Sequence, residues 1–119
     1  MATISKYKDN LIMNLSFDFA LQIIEFSDIL REKRRYVLAD QILRSGCSIG
    51  AHVREAQNAE SKADFIHKMK GAAKEADENE FWLLLCKHSK NYPFNEELPG
   101  KLESIMKVLN KIISTSKRQ

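Results

Sequence analysis

Apolar residues recur at spacings of three and four along nearly the whole chain, in four blocks separated by short polar breaks. The first block predicts a helix over 11–33. Its main stripe is Ile12, Leu15, Phe19, Ile23, Phe26 and Leu30, and a second stripe of Met13, Phe17, Ala20 and Ile24 lies beside it. Only Asn14, Asp18, Gln22, Glu25 and Asp28 stay polar, so the apolar arc is wider than one side of a simple bundle needs. A helix of this kind is expected to be covered on two sides, the second by another subunit. The next block predicts a helix over 36–58, with Leu38, Ile42, Ile49, Val53 and Ala56 on its apolar line and Ser45 and Gly46 filling the gap.

Two glycines stand one turn apart in that second block, Gly46 and Gly50. Glycine inside a helix costs about 1 kcal/mol relative to alanine, so the pair points to close approach by a neighbouring helix. A phosphate-cradling loop is the weaker alternative, because such a loop follows a strand and none precedes these glycines. After a break at Asn58–Ser61, Ser61 followed three residues later by Asp64 resembles a capping pair that opens a third helix over 61–90. Its inward line reads Ile66, Met69, Ala73, Ala76, Glu80 and Leu83. Pro93, Pro99 and Gly100 punctuate the following connection, and a fourth helix over 96–116 carries Leu102, Ile105, Met106, Leu109, Ile112 and Ile113. Short connections between long helices make neighbours antiparallel. The expected fold is all-α, an up-down-up-down four-helix bundle spanning residues 1–119 as one domain.

Composition narrows the picture further. With 119 residues, only 4 Gly and 2 Pro, the chain has too few turn formers for a β-rich fold of this size. A net charge of +3 permits contact with nucleic acid without demanding it. Cys47 and Cys86 sit in apolar helical contexts and read as reduced, buried thiols of a cytoplasmic protein. MATISKYKDN lacks the apolar core of a signal peptide, and no apolar run approaches the ~20 residues of a membrane span. No membrane association is expected.

Polar residues on the central helices form the candidate chemistry. Gln41, Arg44, Ser48, His52 and Glu55 share one face of the second helix, and Lys68, Glu75 and Glu78 share one face of the third, with Trp82 beyond them. A solvated surface is the default for such stripes. The small residues beside Arg44 and Ser48 favour a partly buried network of Arg44, Ser48, Glu55, Glu75 and Glu78, in which Arg44 pairs with Glu75 or Glu78. Di-metal bundles use Glu-x-x-His, and no histidine follows Glu55, Glu75, Glu78 or Glu80 at that spacing. His52, His67 and His88 fall on separate parts of the pattern. No metal, cofactor or catalytic residue is expected, and the chain reads as a non-enzyme.

Cations gather at the helix ends. Arg31, Lys33, Arg34 and Arg35 close the first helix, where cations suit the helix dipole. Lys6 and Lys8 mark one terminus and Lys111, Lys117 and Arg118 the other. An antiparallel bundle places these two sets at opposite ends, as two modest basic caps that an oligomer would multiply. Arg31, Lys33, Arg34, Arg35, Lys111, Lys117 and Arg118 are the candidate contacts to structured RNA or DNA. The alternative is a scaffold whose polar stripes dock a protein partner.

The stretches LSFDFALQIIEFSDIL, QILRSGCSIGAHVREAQNAESKADFIHKMKGAAKEADENEFWL and KVLNKIISTSK resemble the proteins encoded in intervening sequences of bacterial 23S rRNA genes, often labelled S23 ribosomal proteins. The resemblance covers nearly the whole chain. It centres on Arg44-Ser45-Gly46-x-Ser48-Ile49-Gly50 and Glu55-Ala56, then on Ser61-Lys62-Ala63-Asp64-Phe65 and Glu75-Ala76-x-Glu78. Cys47 stands where that family often has Thr, and His52 where Asn is common. The resemblance implies a four-helix bundle that assembles as a homopentameric ring. It also implies a distant likeness to the accessory variability determinant of diversity-generating retroelements, a basic pentamer that binds nucleic acid and a reverse transcriptase.

Overall fold

A computed structural model describes residues 10–119; Lys6 and Lys8 lie outside the described residues. Four helices account for the regular structure: α1 Leu11–Glu32, α2 Tyr36–Ala56, α3 Lys62–His88 and α4 Leu98–Arg118. Each packs against the next in sequence and α4 returns to α1, while the backbones of diagonal pairs stand further apart, so the fold is a closed four-helix bundle. Packing is most extensive on the two sides of α2. None of the described helices is long and apolar enough to cross a membrane.

Local chemistry explains where the helices start and stop. Asn10 accepts the amide of Met13 at 3.2 Å to open α1, and Ser61 Oγ accepts the amide of Asp64 at 3.0 Å to open α3. The Asp64 carboxylate reaches back to accept the Glu60 amide at 3.1 Å and receives Lys68 Nζ at 3.0 Å. The Glu60 amide first, then Lys68, holds this carboxyl below the usual aspartate range. At the end of α1, the amides of Arg34 and Arg35 bond back to Arg31 O and Leu30 O, both at 2.9 Å. Arg34 takes the left-handed position of this turn, at φ 61°, where glycine is the usual occupant. Pro99 and Gly100 lie inside the first turn of α4, not before it, since a first-turn amide has no helical partner to lose.

The core runs the length of the bundle through Phe19, Ile23, Phe26, Leu30, Ile42, Ile49, Val53, Met69, Leu83, Leu102, Ile105 and Leu109. The second stripe of α1 is not enclosed: Met13, Phe17 and Ala20 are half-buried and Ile24 is exposed. On α3 the inward line is Met69, Ala72, Ala76, Asn79, Leu83 and Cys86. The line expected from periodicity is thus rotated by about one residue. Glu80 faces solvent and Asn79 is fully buried; its Nδ2 finds two acceptors while Oδ1 goes without a partner, a smaller cost than burying an unpaired carboxylate.

Candidate functional site

Three helices meet at Gly46. A Cβ there would lie 2.8 Å from both Cγ1 and Cγ2 of Ile23 on α1 and 3.1 Å from Nδ2 of Asn79 on α3. The missing side chain lets both neighbours touch the backbone of α2. Asn79 Nδ2 donates to Ile42 O at 3.1 Å and to Ser45 Oγ at 3.0 Å, and Ser45 Oγ donates onward to Gln41 O at 2.7 Å. This buried chain sets the register of α3 against α2. Gly50 differs: an added Cβ would find its nearest neighbour, Ser16 O, at an ordinary 3.6 Å. Instead of permitting close packing, Gly50 joins Met13, Phe17, Ala20, Cys47 and Ala51 in lining an apolar groove of about 200 Å³ between α1 and α2.

On the outer surface of α2 and α3, Arg44 Nη1 donates to Glu75 at 3.3 Å, and its Nη2 pairs with Glu78. Gln41 Oε1 accepts from Arg44 Nη2 at 3.1 Å, and Trp82 Nε1 donates to Glu78 at 3.0 Å. Ser48 and Glu55 do not enter this network. Ser48 Oγ turns back to Arg44 O at 2.7 Å, and Glu55 faces solvent about two helical turns further on. Arg44 is 48 % exposed, which limits the strength of the pair, whereas Glu75 is only 16 % exposed and would be left beside Glu78 if the cation were removed. Arg44→Met is therefore expected to cost about 1 kcal/mol, read as a fall of about 4 °C in thermal melts at fixed protein concentration. An unchanged melting point would show that solvent screens the pair completely.

The basic cluster at the end of α1 is half committed to internal partners. Arg31 pairs with Asp40. Arg35 lies over the Tyr92 ring at 4.4 Å and reaches Asn91 O at 3.5 Å. Among the described residues Lys33 and Arg34 remain exposed without ion-pair partners. Lys111, Lys117 and Arg118 are all exposed along the C-terminal part of α4. Lys117 comes alongside Lys70 of α3, and the contact between the two amines, with their repulsion, holds Lys70 below the usual lysine range.

Lys70 also borders an open cleft of about 500 Å³ between α2 and α3, lined by Arg44, His52, His67, Lys70, Gly71, Lys74, Glu75 and Glu78. The pattern of the sequence separated His52 from His67, and the packing of α2 on α3 brings both to this cleft. Their rings stand beside Lys70 and Lys74, residues that sequence reasoning passed over. The signal was present: His67, Lys70 and Lys74 follow one another at helical spacing on one face of α3.

Neither thiol is poised to react. Burial pushes Cys86 up to about 11 and raises Cys47 as well, which suppresses the thiolate that nucleophilic chemistry requires. Both are free cysteines. Among the described residues no group of three or more His, Cys, Asp or Glu side chains could hold a metal ion.

Fold and surface together define an all-α bundle with a polar register lock inside, a groove on one side and a cationic cleft on another. The chain belongs to the 23S rRNA-intervening sequence protein family, which matches residues 8–113. It is also similar to the crystal structure of a protein of unknown function from the S23 ribosomal protein family of Bacteroides thetaiotaomicron. The two share 40 % identity and a TM-score of 0.83 over 90 % of this chain and 98 % of that one. No curated protein matches the chain at a significant level.

Proposed function

We propose that this protein is a cytoplasmic, non-enzymatic assembly module, a homopentameric ring that holds structured RNA or DNA by electrostatic contact. The observation that carries the nucleic-acid part is a group of cations left without acidic partners among the described residues: Lys70 and Lys74 on α3 with Lys111, Lys117 and Arg118 on α4. A ring repeats each of them around one axis, and repeated cations that displace counterions from phosphates raise affinity steeply at low salt.

Support for the ring comes from two unlike apolar surfaces. One is the α1–α2 groove floored by Met13, Phe17 and Ala20. The other is the α3–α4 surface, where Leu84 is 47 % exposed beside Phe94 and Pro99. In a closed square of helices these faces lie on opposite sides. Two different patches that cover each other produce a head-to-tail contact, which closes into a ring when the rotation permits. A second reading, a scaffold that docks a protein partner, is favoured by Phe81, 54 % exposed next to Trp82, at a ring centroid distance of 5.1 Å.

Light scattering after size-exclusion chromatography of nuclease-treated protein, with and without a structured ribosomal RNA fragment, tests both parts. A mass of five chains that shifts with RNA at low salt, and loses it as salt rises, is the expected result. A monomer would overturn the ring. A pentamer indifferent to RNA at every salt concentration would turn the assignment to the protein scaffold.

A further inference from the structure

We propose that the α2–α3 cleft is a phosphate-binding seat, formed by Lys70, Lys74, His52 and His67, and that its occupant is a phosphate of the nucleic-acid backbone. The identity of the occupant rests on the nucleic-acid reading above; the seat itself rests on the cleft. The ordinary alternative is a solvated lysine surface with no preference for any anion.

Four observations separate the two. The cleft contains two carboxylates, Glu75 and Glu78, and both are already engaged by Arg44, with Trp82 Nε1 also donating to Glu78. Their charge is therefore directed toward Arg44 and not toward the lysines. Among the described residues Lys70 and Lys74 have no acidic partner within ion-pair distance, although Lys68 on α3 and Lys107 on α4 each pair with an acid four residues before them. Lys117 approaches Lys70 from α4, outside the residues that line the cleft, so Lys70 has a second amine beside it. An anion between them would replace that repulsion with two charge-assisted hydrogen bonds.

Gly71 supplies the fourth observation. A Cβ at this position would lie 3.0 Å from Nδ1 and 3.1 Å from Cε1 of His52. Only a residue without a side chain lets the His52 ring lie across α3, into the cleft that His67 borders from one turn away. The His52 ring nitrogens bond to no protein group among the described residues; Nδ1 is on the edge packed against Gly71, which leaves Nε2 for a ligand. The resulting donors come from two helices and from unlike side chains, the composition expected of a phosphate seat. A cleft of about 500 Å³ admits a diphosphate with room for the sugar that follows it.

Titration calorimetry of the full chain with inorganic pyrophosphate, paired with binding of a structured RNA, tests the seat. The variants are Lys70→Gln/Lys74→Gln and, as a control at the opposite end, Lys90→Gln, which removes one exposed cation just beyond the C-terminal end of α3. Circular dichroism melts establish that both variants are folded. The wild type is expected to bind pyrophosphate at low salt. The double lysine variant should weaken pyrophosphate and RNA at least tenfold and lower the RNA salt slope by about one to two. Lys90→Gln should leave pyrophosphate binding unchanged.

Absence of pyrophosphate binding to the wild type overturns the seat, as does equal affinity in the wild type and the folded double variant. RNA binding that survives the double substitution also overturns the seat, while the nucleic-acid reading stands. Pyrophosphate bound through the lysines, with no RNA bound by the wild type, keeps the seat and assigns it to a small phosphate compound; the nucleic-acid reading then falls.

Discussion

Gly46→Val is expected to destabilise the protein by about 4 kcal/mol, and Gly46→Ala by about 1–2 kcal/mol. Alanine would gain about 1 kcal/mol of helix propensity. Its Cβ, however, would fall 2.8 Å from two carbons of Ile23 and 3.1 Å from Asn79 Nδ2. Neither neighbour can yield cheaply. Ile23 is fully buried and β-branched, with one strongly preferred rotamer in a helix, and Asn79 is fixed by two hydrogen bonds to α2. Valine adds two more methyl groups to the same overlap. Gly50→Ala provides the contrast in the same helix: with its nearest neighbour at 3.6 Å, the new methyl fits and should stabilise the fold by about 0.5–1 kcal/mol. Urea unfolding at one fixed protein concentration reads all three. A Gly46→Ala variant as stable as wild type would show that α1 and α3 do not close on α2 as tightly as described.

Asn79→Asp is expected to cost about 3–5 kcal/mol at pH 7, and less as the pH falls. The substituted oxygen would face two acceptors, Ile42 O and Ser45 Oγ, where Nδ2 now donates to both at 3.1 and 3.0 Å. Burial and the carbonyl dipole both disfavour the ionised acid, so its folded-state pKa lies above its unfolded value. Between those two values the folded chain holds one more proton than the unfolded chain. Stability relative to wild type should then fall as pH rises, by about 1.4 kcal/mol per pH unit, and recover on acidification toward the unfolded aspartate pKa near ~4. Unfolding at pH 5 and pH 7, each compared with wild type at the same pH, gives the slope. A penalty independent of pH would mean that water reaches position 79.

The two expectations differ in how far the sequence foretold them. Gly46 was legible as a close-packing position because a glycine inside a strongly periodic helix requires a reason. Gly50 looked identical on the same grounds, and its opposite role depends on Ser16 of a different helix standing one methyl further off. Asn79 was missed. Two inward lines can be drawn on α3, one through Ala73 and Glu80 and the other through Ala72 and Asn79, and both obey helical spacing. Apolar content cannot choose between them when each begins with alanine. The deciding fact is that α2 offers Ile42 O and Ser45 Oγ at this level, acceptors that an amide can satisfy.

Arg44 illustrates a middle case. Its pairing with Glu75 or Glu78 was anticipated from facing polar stripes, and Arg44 pairs with both. Ser48 and Glu55, on the same stripe, were drawn into the same network by spacing alone. A serine inside a helix can satisfy its hydroxyl on the carbonyl four residues earlier, as Ser48 does on Arg44. The arginines at the end of α1 were legible as charge but not as available charge, since Asp40 and Tyr92 engage Arg31 and Arg35.

By itself, then, the sequence determined the number and approximate placement of the helices, because spacing, caps and breakers act between residues within about four positions of one another. It also determined that the helices would close as a bundle. Only the tertiary structure decided which of two adjacent stripes on α3 turned inward, which glycine was a contact and which the floor of a groove, and which cations were left unpaired. Those outcomes depend on distances between residues such as Arg44 and Glu75, 31 positions apart, and periodicity along one helix carries no information about the partner it will meet.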